Sequence, residues 1–90
     1  MKIYSFTHDE DFGNPDEVIS MLKSIDMIRD LRSPFHNFYI IKSSETARTL
    51  AKAIIKHIPD RRFFISEIST NREGWFAKSI WSFVKEDHDQ

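Results

Sequence analysis

Residues Phe38–Ser69 read FYIIKSSETARTLAKAIIKHIPDRRFFISEIS, and the order of elements within this stretch decides the fold. Phe38–Ser43 (FYIIKS) and Arg61–Ser69 (RRFFISEIS) pack β-branched and aromatic residues into strand-length runs, so each is expected to be a strand. Between them Ala47, Leu50, Ala51, Ile54 and Ile58 recur at helical spacing until Pro59 stops the pattern. Ser43 or Ser44 is placed to cap that helix. Both strands are apolar on both sides. Phe38 and Ile40 oppose Tyr39 and Ile41, and Phe63 and Ile65 oppose Phe64 and Ile68. A sheet wet on one face alternates more cleanly, so something must cover the second face.

Working outward, the N-terminal half supplies a matching unit. Lys2–His8 (KIYSFTH) is a third strand-like run, ended by the acidic stretch DED. Asn14-Pro15 starts a helix, with Asn14 as cap, Pro15 at the first helical position and Glu17 completing a box-like spacing. Val18, Ile19, Leu22 and Ile25 form its stripe, and it should end near Ile25. Met27–Ser33 is expected to be a short strand, and Ser33–Asn37 (SPFHN) the turn that leads into Phe38.

The resulting order is strand, helix, strand, strand, helix, strand. It predicts an α+β domain with a ferredoxin-like βαββαβ antiparallel sheet and two helices on one face. An added C-terminal helix follows. Thr70 and Glu73 have capping-box spacing, which predicts a start near Asn71 and a helix containing GWFAKSIWSFVKE. Ala77, Ile80, Trp81 and Val84 would share one face, flanked by Trp75, Phe76 and Phe83, and Gly74 would let the first turn approach the preceding strand. Trp75, Trp81 and Phe64 are therefore candidate core or interface anchors. Residues 1–85 are expected to form one domain and residues 86–90 a polar tail. The second sheet face would be covered by the last helix or by a second copy of the chain.

Bulk composition narrows the function classes. The chain has 90 residues, 13 Lys and Arg against 14 Asp and Glu, and no cysteine. Disulfide frameworks and thiolate metal sites are thereby excluded. Any nucleic-acid binding must come from a local basic patch, because the formal net charge is −1. No run approaches the roughly 18 apolar residues of a membrane span, and MKIYSFTHDE lacks a signal-peptide core. The expectation is a cytoplasmic protein with no membrane partner.

The strand RRFFISEIS followed by GWFAKSIW resembles the C-terminal half of a small bacterial family called "SinR family protein". That family is unlike the helix-turn-helix repressor. It is similar in fold to the ferredoxin-like small subunit of the CRISPR spacer-acquisition complex and to virulence-associated protein D. The resemblance runs from Phe38 to Val84 and implies a homodimer. Some relatives are metal-dependent nucleases or mRNA interferases with an aspartate at the end of the first strand, commonly in a Tyr-Asp pair. Here the matching place reads SFTHDED. If Phe6 stands for the tyrosine, Thr7 stands for the aspartate, and the nearest carboxylate is Asp9. That departure counts against importing the family's catalysis.

Three functions follow as expectations. The first is a nucleic-acid-associated protein, binding RNA or DNA as a scaffold without a cofactor. Arg48, Lys52 and Lys56, at i, i+4 and i+8, make a basic ridge suited to phosphates, joined by Arg61 and Arg62; the same ridge would also serve as a solubilising face. The second is a protein-interaction module, a regulator or inhibitor from a mobile element or phage. The third is a ribonuclease in which Asp9 and Asp11, within HDEDF, hold Mg²⁺ or Mn²⁺. The bland alternative for HDEDF is a solvated acidic loop before a helix N-terminus. His36 and His57 are isolated. No phosphate-binding loop, nucleophile elbow or zinc spacing occurs in the sequence.

Overall fold

The computed structural model describes residues 1–86. In chain order it contains β1 (Lys2–His8), α1 (Pro15–Ser24), β2 (Asp30–Phe35), β3 (Phe38–Ser43), α2 (Ala47–His57), β4 (Phe63–Glu67) and α3 (Lys78–Lys85). The strands form one four-stranded antiparallel sheet in the order β2-β3-β1-β4, so β1 and β3 are central and β2 and β4 are edges. The fold is α+β.

Local chemistry sets the element ends. Asn14 caps α1 as a full capping box: its side chain accepts from the Glu17 N–H, and Glu17 Oε1 accepts from the Asn14 N–H. Helix α2 begins later than either serine would place it. Ser43 is still the last residue of β3, its hydroxyl donating to the Met27 carbonyl and its oxygen accepting from the Glu45 N–H, so Thr46 does the capping by accepting from the Thr49 N–H. Strand β2 is displaced toward the C-terminus relative to Met27–Ser33. The chain turns at Ile25–Ile28, with the Ile28 N–H on the Ile25 carbonyl; the Arg29 N–H then reaches the Lys42 carbonyl, and the ladder with β3 runs from Asp30. Ser33, Pro34 and Phe35 are thus strand, and the turn is His36-Asn37 alone, with Asn37 at φ 61°.

The two sheet faces carry separate cores. Helices α1 and α2 lie on the first, where Val18, Leu22, Leu50 and Ile54 pack with Tyr4, Phe6, Tyr39 and Ile41. Helix α3 lies on the second, where Phe83 and Val84 bury Ile3 and Ile40, with Phe38, Ile68, Phe76, Ile80 and Trp81 around them. The last helix thus covers the second face, although only in part. It is also shorter than expected, because the Thr70–Glu73 box does not form. Ser69 Oγ takes the Asn71 N–H, and Glu73 turns to the Gly74 N–H instead of reaching back to Thr70. Residues 70–77 are irregular, and α3 starts at Lys78 without a side-chain cap. Nor does Gly74 serve a close approach. A Cβ built there would meet only Phe76, at 4.0 Å.

A cluster of cations fastens α3 to the sheet. Lys42 is buried beneath it, its side chain only 4% exposed, and donates to Glu86 Oε1 at 3.3 Å. Lys42 Nζ lies 4.2 Å from the Phe83 ring centroid and the Arg32 guanidinium 4.3 Å from the same ring. Of the expected 86–90 tail, Glu86 is therefore engaged, and the rest lies outside the described residues. Phe83→Ala should cost about 3–5 kcal/mol in urea unfolding, by emptying this site and stripping the cover from Lys42. Trp75→Ala should change stability by less than about 0.5 kcal/mol, because Trp75 is 96% exposed.

Tyr4 and Tyr39 are both buried on the first face, and Tyr4 donates its hydroxyl to the Glu45 carbonyl. Burial raises both phenol pKa values above the ordinary range, with Glu67 and Glu45 adding to the effect on Tyr4. The raised folded-state values mean that this stability is fully present below about pH 10 and is lost as pH rises through them. The urea midpoint should therefore fall at alkaline pH, and the slope should flatten in a Tyr4→Phe/Tyr39→Phe variant.

Candidate nucleic-acid interface

Two groups of exposed cations stand where the sequence places them. Arg48, Lys52 and Lys56 project from the outer side of α2, and Arg61 and Arg62 precede β4 across the loop that closes the helix. Each is exposed, and among the described residues none forms an ion pair within 4.0 Å. By contrast, Arg32 is paired with Asp30 and Lys42 with Glu86. Three like charges at i, i+4 and i+8 repel by a few tenths of a kcal/mol per pair. Lys52 and Lys56 also flank a shallow apolar groove floored by Met27, Ala53 and the half-exposed Ile55. A polyanion would find unneutralised charge here over an apolar floor.

Arg62 belongs to a second hollow. It lines an open depression with Thr7, His8, Asp9, Phe63 and Phe64, at the shared end of β1 and β4. The Asp9 N–H donates to the Arg62 carbonyl, so the hollow's rim is part of the β1–β4 ladder. The five cations thus form a helical row and a strand-end pair, not one patch.

The acidic stretch comes apart into separate roles. Asp9 and Asp11 are exposed. Glu10 accepts from the Asn37 side chain at 2.9 Å and lies 3.7 Å from His36 Nε2. His8 turns the other way. It is 9% exposed, lies in stacked contact with Phe12 and Tyr39, and has Nδ1 on the Asp9 carbonyl at 2.8 Å. Its Nε2 is buried and has no hydrogen-bond partner among the described residues. Among the described residues, no three His, Asp or Glu side chains come close enough to share a metal ion. Strand alternation holds the signal for His8, since it shares the face of Tyr4 and Phe6.

The second face has an open half that sequence reasoning only partly found. Phe64 on β4 is 66% exposed, and Ser5, Thr7 and Ser66 beside it are half-buried. Phe35, read as a turn residue, is 56% exposed, stacks on Phe38 and lies tilted against Phe76. Its register opposite Phe38 was obscured by Pro34, which ordinarily argues against a strand. Trp81 is half-buried against Phe76 and helps fill the second core. Of the three anchors, Trp81 therefore acts in the core, while Phe64 and Trp75 are left to solvent. Comparison with known proteins returns no matching family model, no matching curated protein and no matching solved structure.

The two tryptophans report this geometry directly. In a Trp81→Phe variant, the remaining Trp75 should emit at long wavelength and be quenched freely by acrylamide. In Trp75→Phe, emission from Trp81 should be blue-shifted and less quenched. Equal quenching of the two would mean that Trp75 is covered in solution.

Proposed function

We propose that this chain is a small homodimeric ferredoxin-like protein that associates with RNA or DNA as a binding or scaffolding element, like the small subunit of the CRISPR spacer-acquisition complex. The strand order β2-β3-β1-β4, with α1 and α2 on one face, supports the ferredoxin-like assignment. The observation that carries the nucleic-acid reading is the row Arg48, Lys52 and Lys56, exposed and free of ion pairs among the described residues. Contact through phosphates fits a chain whose net charge is −1, since a local row suffices where the overall field does not. Scaffolding is preferred to cutting because His8 is turned into the core, away from the exposed Asp9 and Asp11.

Binding to labelled single-stranded RNA and DNA should weaken steeply with salt. In Arg48→Ala/Lys52→Ala/Lys56→Ala, the slope of log affinity against log salt should fall by up to about 2, since each phosphate contact contributes about 0.7. Unchanged affinity and slope in the triple variant would remove the basis of the reading. A second reading, a protein-interaction module acting as regulator or inhibitor, is favoured by the exposure of Phe35, Phe64 and Trp75. It requires no affinity for nucleic acid at moderate salt and a stoichiometric protein complex that Trp75→Ala weakens.

A further inference from the structure

The two sheet edges are built differently. Strand β2 carries Pro34 and a register irregularity between Arg32 and Phe35, both of which spoil an edge for further pairing. Strand β4 has neither. It pairs regularly with β1 from Phe63 to Glu67, and among the described residues its other side has no strand beside it.

Which groups that free side presents follows from the ladder. The Asp9 N–H donates to the Arg62 carbonyl and the Ile68 N–H to the Ile3 carbonyl, so even-numbered residues of this segment bond inward to β1. In an antiparallel sheet the alternate residues then point outward. The N–H and C=O groups of Arg61, Phe63, Ile65 and Glu67 therefore point outward and, among the described residues, pair with no other strand; the Glu67 carbonyl takes only a long contact from the Ser66 hydroxyl, at 3.5 Å.

We infer that the occupant of this edge is β4 of a second copy, paired antiparallel about a two-fold axis at Phe64 to give a continuous eight-stranded sheet. This rests on the homodimer part of the proposed function and names the surface that forms it. A two-fold perpendicular to the sheet preserves faces, so only registers that oppose residues of like parity are allowed. Centred on Phe64, Phe63 faces the partner's Ile65, and Arg61 faces the partner's Glu67. Arg62 faces the partner's Ser66, and the two Phe64 rings meet at the axis. The hydrogen-bonding pairs are then the outward residues, giving about eight main-chain bonds if the ladder reaches Arg61. Two cross-strand Arg–Glu pairs and an aromatic pair favour the same register. Centring on Ile65 would instead set Phe63 against the partner's Glu67 and Arg62 against the partner's Ile68. Centring on Phe63 would set Arg61 against the partner's Ile65 and Arg62 against the partner's Phe64. Only the Phe64 register matches charge with opposite charge. It also accounts for Phe64 being 66% exposed in the single chain.

The absence of cysteine makes a direct test possible. In Phe64→Cys the two thiols sit in a non-hydrogen-bonded pair, with Cα atoms about 4.5 Å apart, within disulfide reach. In Ser66→Cys the two thiols are displaced from the axis by two residues each, about 14 Å apart, and should not bridge. Mild oxidation should therefore give a covalent dimer from the first variant and none from the second. Sedimentation should also give the parent twice its 10.7 kDa chain mass. Arg61→Glu and Glu67→Arg should each lose the dimer, and the double swap Arg61→Glu/Glu67→Arg should restore it. Both sites are exposed, and circular dichroism checks that each variant is folded. A parent dimer with no preferential Phe64→Cys crosslink would overturn the edge pairing while leaving a homodimer. A monomeric parent would overturn both. Neither result touches the nucleic-acid reading, which the α2 triple variant tests separately.

Discussion

The central strands β1 and β3 tolerate water on neither face. Tyr4, Phe6, Tyr39 and Ile41 are buried on one side and Ile3 and Ile40 on the other, each at 1% exposure or less. Two layers must therefore close over one four-stranded sheet. The first layer is generous, because α1 and α2 each bring a full apolar stripe, and Phe12 seals the end of it beside His8. The second layer is a single eight-residue helix. Its size explains why the cover runs out over β4 and leaves Phe64 in the open.

Most of the first layer was legible in the sequence, because local and tertiary preferences agree there. Asn14-Pro15 and Glu17 specify a helix start that nothing else in the chain contests, and Phe38–Ser43 has no alternative to being a central strand. The second layer departs from its sequence pattern where a local motif loses to competing hydrogen bonds. Thr70 and Glu73 have capping-box spacing, but Ser69 and Gly74 offer nearer partners, and Gly74 with its aromatic neighbours disfavours a helical first turn. The same holds for Ser43. Its oxygen does take a main-chain N–H, but that of Glu45, because the strand continues to Ser43 and the helix starts only after Thr46. Of the site, the basic row was legible from spacing alone. Exposure was not, because an apolar residue on an edge strand looks in sequence like one in the core.

Cations are put to two opposite uses in this small domain. Lys42 sits under α3, where desolvation is offset by the Glu86 carboxylate and the face of Phe83. Such a charge orients the cover helix, since a shifted α3 would leave an ammonium buried without either partner. Arg48, Lys52 and Lys56 have the reverse arrangement, exposed and mutually repelling. A charge held by a partner specifies structure; a row of like charges without one remains available to something outside the chain.

Edge pairing through β4 would bring these features together. A two-fold perpendicular to the sheet keeps each face on its own side, so both α2 helices would stand on the same surface of the dimer. Helix α2 packs beside β4, which would make the two basic rows neighbours across the axis. The phosphate-facing charge of one chain would thus be doubled on a single face without any change in the net charge per chain. On the opposite face the axis would gather the two Phe64 rings beside the half-open sheet. A chain close to neutral can present a strong local field in this way, because symmetry concentrates like charge that its own sequence keeps dilute.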